Sequence, residues 1–306
     1  MTGAPAVSVV IPTRNRCRLL RAALDSVETQ NLRPTEVIVV SDGSSDGTDE
    51  LVRDRGLRLV RTDGVGAGGA RNAGWRAATS EIVAFTDDDC VARPDWLERL
   101  IAPFEGAPSL AIAQGRTVPA APAGPDQRSL DVSRETGLYE TCNIAYRRQA
   151  LEVVGGFDEG LARSWGHFGE DVELAWRVKR AGWESRFVEA ATVEHHVFDV
   201  SLISVIGRQW ACRRFPALVK RVPELRAQLP GGRWFLRSHG PWVQLALLGL
   251  LISIRSPRAG AVMSTPYLLW LLRNVGLTKA PRQVLLDLVT SAALLQGSLE
   301  SRSILF

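Results

Sequence analysis

Cysteine is scarce. The four present, Cys17, Cys90, Cys142 and Cys212, form no CxxC pair and no zinc-ligand spacing. The chain therefore reads as a protein of a reducing compartment without a disulfide framework. A signal peptide is not expected either, because residues 1–11 show no basic start followed by a long apolar run. They read as a strand. Long hydrophobic runs are also missing: residues 238–254 are 17 uncharged residues, and residues 259–272 are 14 with Pro266 among them. Both fall at or below the roughly 20 apolar residues of a simple membrane span. No internal repeat is visible. Residues 201–306, the basic part of the chain, show no recognisable zinc, homeodomain or RNA-binding motif, so nucleic acid is not an expected partner.

The sequence does contain enough apolar material for a packed core. Of 306 residues, 45% are hydrophobic and 23% charged, which excludes disorder, collagen-like repeats and coiled coil as the main architecture. A net charge of +4 hides a division. Residues 1–200 carry 23 basic against 30 acidic side chains, and residues 201–306 carry 14 against 3. The tail is basic and apolar, with Trp234, Trp242, Tyr267 and Trp270 near Arg255, Arg258 and Arg273. That composition fits helices lying in an anionic membrane surface.

The first 200 residues alternate between two periods. Residues 7–11, 36–40, 57–60 and 82–86 read as strands, and residues 18–30 and 70–79 as helices. A helix from Val172, closed by Gly182, and a strand over 185–193 follow. Beyond residue 200 only helices are expected. Strands separated by helices predict an α/β fold, a mostly parallel sheet covered on both faces, followed by a helical, apolar and basic region.

Ligands of open α/β sheets bind beyond the carboxyl ends of the strands. Polar groups follow three strands here: Pro12-Thr13-Arg14-Asn15, then Ser41-Asp42-Gly43-Ser44-Ser45-Asp46-Gly47, then Asp87-Asp88-Asp89. Three adjacent carboxylates at the end of a buried strand repel one another, and a hard divalent cation such as Mg²⁺ or Mn²⁺ relieves that repulsion. A solvated acidic turn is the commoner fate of such a cluster. The buried-strand sequence before it favours the metal.

The series of motifs resembles the family 2 glycosyltransferases of the A-type, nucleotide-diphospho-sugar transferase fold. Residues 7–16 are similar to that family's opening strand, and Asp42-Gly43-Ser44-Ser45-Asp46-Gly47-Thr48 to its second motif. Ala70-Arg71-Asn72-Ala73-Gly74 resembles the third, and Asp87-Asp88-Asp89 its DxD motif. Gly155-Gly156-Phe157-Asp158-Glu159 and Gly169-Glu170-Asp171-Val172-Glu173-Leu174 resemble its acceptor-side motifs. Ser41 departs from the pattern, since the family often has a second Asp there.

The resemblance implies a role for each position. Pro12, Thr13, Arg14, Asn15 and Arg71 would line the nucleotide pocket, and Asp42 would accept from the base. Asp87 and Asp89, with His195 or its neighbour His196, would hold the metal, and Asp88 would lie nearer the ribose or sugar. Asp171, with Glu170 beside it, would be the catalytic base. Gly156, Phe157, Trp165 and Gly169 would face the acceptor. The implied protein is an inverting, metal-dependent enzyme of polysaccharide or cell-envelope synthesis. It would move a sugar from a nucleotide-diphospho-sugar to a glycan or lipid-linked hydroxyl. Residues 1–200 would be its catalytic domain and 201–306 a membrane-associating region at the cytoplasmic face of the cell membrane. Processive synthases usually carry QxxRW, and Gln209-Trp210-Ala211-Cys212-Arg213 does not match it.

Two other readings compete. Gly64-Val65-Gly66-Ala67-Gly68-Gly69 is a literal GxGxxG, the fingerprint of a dinucleotide-dependent oxidoreductase. A poor preceding strand and the triple-Asp run count against it. A nucleotidyltransferase can share the fold, but it would carry a glycine-rich basic loop after the first strand, where this chain has Pro12-Thr13-Arg14-Asn15-Arg16.

Overall fold

The computed structural model describes residues 5–124, 126–161 and 168–306. The chain divides into two compact units, one ending at Asp199 and one running from Val200 to Phe306.

The first unit is built on an eight-stranded sheet of order β3-β2-β1-β4-β8-β6-β9-β5. Its strands are β1 (Val7–Thr13), β2 (Glu36–Asp42), β3 (Arg58–Thr62), β4 (Ile82–Thr86), β5 (Cys90–Ala92), β6 (Leu110–Pro119), β8 (Asn143–Arg147) and β9 (Glu184–His195). A short ribbon pairs β7 (Gln127–Arg128) with β10 (Phe198–Asp199). Six strands of the large sheet run one way, so the expected parallel character holds; only β5 and β8 are reversed.

Both faces of the sheet are covered, which is why β1 is apolar and buried along its whole length. Val7, Val9 and Ile11 face a cluster with Leu20, Leu24 and Val27 of α1 (Cys17–Glu28), and with Trp96 and Leu97 of α4 (Trp96–Ile101). Val10 points the other way, to Ala70 and Trp75 of α3 (Gly66–Ala77) and to Leu174 and Val178. Period-two alternation in the strand thus feeds two cores. The helices α2 (Thr48–Asp54), α5 (Arg148–Val154) and α6 (Glu170–Arg180) also belong to this unit. Gly182, with φ +92°, follows α6 in the left-handed conformation that glycine adopts without strain.

Helix α3 needs a glycine. A Cβ on Gly74 would lie 2.3 Å from Val10 Cγ1 and 3.0 Å from Val40 Cγ2. The helix therefore rests directly on the sheet, which fixes where its polar residues reach the strand ends.

The second unit contains α7 (Leu202–Ala211), α8 (Phe215–Arg221), α9 (Gly240–Ser253), α10 (Pro257–Asn274) and α11 (Ala280–Ser301). Helices α9 and α10 form a tight hairpin, since a Cβ on Gly260 would meet the Gly249 carbonyl oxygen at 2.6 Å. One buried carboxylate ties the helices together. Asp287 accepts from Arg237 at 3.0 Å, His239 Nε2 at 3.1 Å, the Tyr267 hydroxyl at 2.8 Å and Gln283 at 3.0 Å. Burial alone would raise its pKa, but these donors hold it below the usual carboxylate range. Tyr267 is therefore buried and is no surface anchor, which corrects that expectation. Among the described residues no helix is long and apolar enough to cross a membrane.

Candidate active site

The carboxyl ends of β1, β2 and β4 meet at one edge of the sheet and open into a cleft of about 410 Å³. Thr13, Arg14, Asp42, Arg71, Asp87 and Asp88 are among its lining residues. Pro12 lies at the same wall. The loop after β1 is bent by Asn15, whose φ of +53° is left-handed. Its side chain repays that strain by accepting from Ser45 N at 2.8 Å, while its own N–H donates to Ser44 Oγ at 3.1 Å. The first and second motifs are thereby clasped together.

Asp42 is fixed by the loop that looked like a dinucleotide fingerprint. Its Oδ1 accepts from Thr62 Oγ1 at 2.7 Å and from Val65 N at 2.9 Å, and its Oδ2 accepts from Gly66 N at 2.8 Å. Burial opposes ionisation there, but the three donors outweigh it and hold the pKa below the ordinary value. Two amides of the glycine run therefore serve a protein carboxylate instead of cradling a pyrophosphate. The oxidoreductase reading loses its structural basis.

The three aspartates after β4 have different surroundings. Asp87 receives the buried Arg71 guanidinium at 2.6 Å. Asp88 accepts from Thr13 Oγ1 at 2.7 Å and from Arg16 Nη1 at 3.0 Å, and burial pushes its pKa up to about 6 despite these partners. Asp89 accepts from the same Arg16 nitrogen at 2.9 Å, and its other oxygen faces His195 Nε2 at 3.6 Å. Strand pairing explains the last contact, because β5 and β9 place Cys90 opposite His195. Among the described residues no three His, Cys, Asp or Glu side chains gather into a ready-made metal cluster. His196 donates its backbone N–H to the Asp89 carbonyl at 2.8 Å, and its ring packs edge-on against Phe198.

The second half of the site begins at α6. Gly169, φ +77°, precedes the helix, and Asp171 lies in its first turn with one oxygen accepting from Val172 N at 2.9 Å. Burial raises Asp171 to about 8, reinforced by the nearby Glu170 and Glu140 carboxylates. Glu170 is buried, and its Oε2 has no hydrogen-bond partner among the described residues. Arg71 connects the two halves: bound to Asp87, it also exerts its charge on Glu170 and Asp171.

With this geometry established, comparison with known proteins decides the family. Residues 8–157 match the sequence profile described as Glycosyl transferase family 2. The chain belongs to glycosyltransferase family 2. It is 34% identical over 209 residues to a pre-mycofactocin glycosyltransferase of Mycobacterium tuberculosis, an alignment taking in 62% of this chain and 42% of that one. It thus spans less than half that relative's length. It is 30% identical over 287 residues to a validoxylamine A glucosyltransferase of Streptomyces hygroscopicus subsp. jinggangensis, covering 77% of this chain and 65% of the relative. Among solved structures it is similar to the mannosyltransferase PcManGT from Pyrobaculum calidifontis, in complex with GDP-Man and Mn²⁺. The TM-score is 0.65 at 19% identity, over 98% of this chain and 88% of that one. S. aureus TarS 1-349 in complex with UDP gives a TM-score of 0.56, also at 19% identity, over 97% and 92%. At such identity the two structures speak for the fold, which is the A-type nucleotide-sugar transferase fold expected.

Within this family 2 chain, the Ala70–Gly74 motif divides its labour residue by residue. Arg71 binds Asp87, and Gly74 permits contact with the sheet. Asn72 holds the loop after α5: its Nδ2 donates to Phe157 O at 2.9 Å and its Oδ1 accepts from Phe157 N at 2.9 Å. Gly156 is obligatory there, because a Cβ would lie 2.4 Å from Asn72 Oδ1. Phe157 is buried edge-on against Phe85, 5.8 Å between ring centres. Gly156 and Phe157 are therefore packing residues that seat the loop after α5 against α3 and β4. Trp165 lies outside the described residues.

Arg16 and Glu140 were not singled out from the sequence. Arg16 closes the first motif, and its position two residues after Arg14 was a usable signal. Glu140 follows Tyr139, whose φ of +52° is unusual for a bulky residue. The Tyr139 hydroxyl bonds Glu135 at 2.7 Å and receives Lys179 Nζ at 2.9 Å, clamping this segment to α6. Glu140 in turn accepts from Gln114 Nε2 at 2.8 Å. Nothing in the local pattern signals that contact.

Proposed function

We propose that the protein is an inverting, metal-dependent glycosyltransferase that moves a sugar from a nucleotide-diphospho-sugar to a hydroxyl of a glycan or lipid-linked acceptor, one or a few sugars at a time. The observation that carries the reading is the division of charge in one site. Three carboxylates stand at the strand ends, Asp171 holds its proton unusually strongly across the site, and Arg71 acts on both.

The donor set fits Mg²⁺ or Mn²⁺. Asp87, Asp89 and His195 would hold the ion, and hard oxygen donors with few protein ligands suit an ion that also takes substrate phosphates. His195 Nδ1 is engaged by the His196 carbonyl at 2.8 Å, which turns Nε2 toward Asp89 as a ligand. When bound, the metal neutralises charge on the departing diphosphate. Asp42, Pro12, Thr13, Arg14 and Asn15 form the nucleotide end, and Asp88 lies toward the ribose or sugar. Asp171 accepts the proton of the acceptor hydroxyl, and its raised pKa suits a base working near neutral pH. Attack from that side, opposite the diphosphate, inverts the anomeric centre. The solved neighbours with GDP-Man and Mn²⁺ or UDP support the donor class.

The unit ending at Asp199 is the catalytic domain in this reading, and the helical unit associates with an anionic membrane at its cytoplasmic face. Leu250, Leu251, Ile254 and Val262 are 66–82% exposed beside the exposed Arg255 and Arg258, an arrangement that favours interfacial binding. The test is release of nucleoside diphosphate from a panel of UDP- and GDP-sugars with Mn²⁺, with and without EDTA. Absence of binding and of turnover across the panel would refute the reading.

A further inference from the structure

We propose that Arg16 is a displaceable cation stand-in: it bridges Asp88 and Asp89 until a divalent ion arrives, then turns its guanidinium onto the diphosphate of the donor. The inference rests on the glycosyltransferase reading above and deepens it.

A single nitrogen makes the bridge. Arg16 Nη1 lies 3.0 Å from Asp88 Oδ1 and 2.9 Å from Asp89 Oδ2. A guanidinium binds one carboxylate best through two parallel N–H bonds, so this one-nitrogen bridge between two acids leaves its fork unused. Among the described residues Nε and Nη2 donate to no protein acceptor. That edge is available to an anion.

The two arginines at the triad differ in freedom. The Arg71 side chain is 7% exposed and the Arg16 side chain 41%. Arg71 would leave a buried charge behind if it moved, whereas Arg16 can move at little cost. Its guanidinium carbon lies 5.5 Å from the centre of the Phe198 ring, and that of Arg128 lies 5.5 Å from the same ring. The ring gives Arg16 a surface to slide along while keeping its charge partly stabilised.

Charge favours the exchange. A divalent ion at Asp87 and Asp89 brings two positive charges where Arg16 brought one, and it repels the guanidinium it replaces. The entering diphosphate is then the strongest anion within reach, and its geometry matches the free fork. Arg16 lines the same cleft as Arg14 and Arg71, so the exchange requires a swing of one side chain and no backbone movement.

The test is calorimetry on the full chain, wild type against Arg16→Met and Arg16→Lys, with melting curves to verify folding. The probes are Mn²⁺ alone, and UDP and GDP in saturating Mn²⁺. Arg16→Met should bind Mn²⁺ alone several-fold more tightly, because its competitor is gone. The same variant should bind the preferred nucleotide about tenfold more weakly, the loss of a charge-assisted bond. Arg16→Lys should bind Mn²⁺ as wild type does, yet also lose nucleotide affinity, because it keeps the charge without the fork. A residue that merely braced the loop would weaken both ligands together. Unchanged or weaker Mn²⁺ binding by Arg16→Met overturns the inference, as does unchanged nucleotide binding. Metal-independent nucleotide binding in wild type would make Arg16 a permanent replacement and overturn it as well. Wild type that binds neither nucleotide under any condition refutes the glycosyltransferase reading itself.

Discussion

His195 Nε2, at the end of β9, and Asp89 Oδ1, in the turn just before the antiparallel strand β5, face each other across 3.6 Å, each buried. That spacing is too long for a good hydrogen bond. His195→Ala or Asp89→Ala should weaken Mn²⁺-dependent nucleotide binding by about tenfold or more, in line with the loss of a metal ligand. Calorimetry with and without EDTA reads this directly. Nucleotide affinity indifferent to EDTA in wild type would remove both residues from a metal role.

Asp171→Asn should lower turnover by about 10²–10⁴-fold while sparing donor binding. Turnover of wild type should rise with pH through the region of 8, where Asp171 loses its proton. Glu140→Gln removes a neighbouring negative charge and should move that rise to lower pH.

Stability carries the same signature with a defined sign. Between the ordinary carboxylate pKa and about 8, the native chain keeps a proton on Asp171 that the unfolded chain has released. Its contribution is therefore lost as pH rises through that interval. Asp171→Asn should melt close to wild type at pH 4 and above it at pH 8. Equal melting differences at both values would contradict the assignment.

Gly74→Ala should destabilise the fold even though alanine is the better helix former. The helical gain is about 1 kcal/mol, and forcing a methyl group against Val10 costs about 1–3 kcal/mol. Adding Val10→Ala removes the clashing Cγ1 and should recover part of the loss of the Gly74→Ala variant. Urea denaturation of the single and double variants measures the coupling.

Asp42→Ala should cost nucleotide affinity and also about 1–3 kcal/mol of stability, because it strips the acceptor from the Thr62 hydroxyl and from two loop amides. The metal requirement should remain. Thermal melting in the absence of ligand isolates the structural part of the loss.

Flotation of the full chain with anionic vesicles tests the surface of the helical unit. Leu250→Gln together with Leu251→Gln should reduce binding, since the two are 68% and 66% exposed and contribute little to folding. High salt should reduce binding of wild type through its arginines. Equal partitioning of variant and wild type would argue that this face does not meet lipid.

Much of the unit ending at Asp199 is legible in the sequence because its signals are local. The expected bounds of β4 match the observed ones, since Ile82-Val83-Ala84-Phe85-Thr86 is an apolar run ended by charge. The polar clusters after β1, β2 and β4 fall at one edge because parallel strands deliver their ends together. What escaped depends on contacts distant in sequence. Neither the Gly66 N–H bond to Asp42 nor the Gln114 bond to Glu140 leaves a mark in its own segment. The sequence around Tyr267 suggests a surface anchor, because aromatic residues near arginine usually are; its bond to the buried Asp287 overrides that tendency.

Strand β8 runs against β4, so its first residue, Asn143, sits opposite Thr86 at the last position of that strand. A segment entering such a reversed strand arrives at the edge from which the forward strands leave. Glu140 and Tyr139 thus approach the cleft along a path independent of the loops that carry Asp42 and Asp87. Changes of length or chemistry before β8 can remodel one wall without shifting the register of β1, β2 or β4. Substitutions in that segment therefore reach the site from one side and leave the anchoring of Asp42 and Asp87 on the other side untouched.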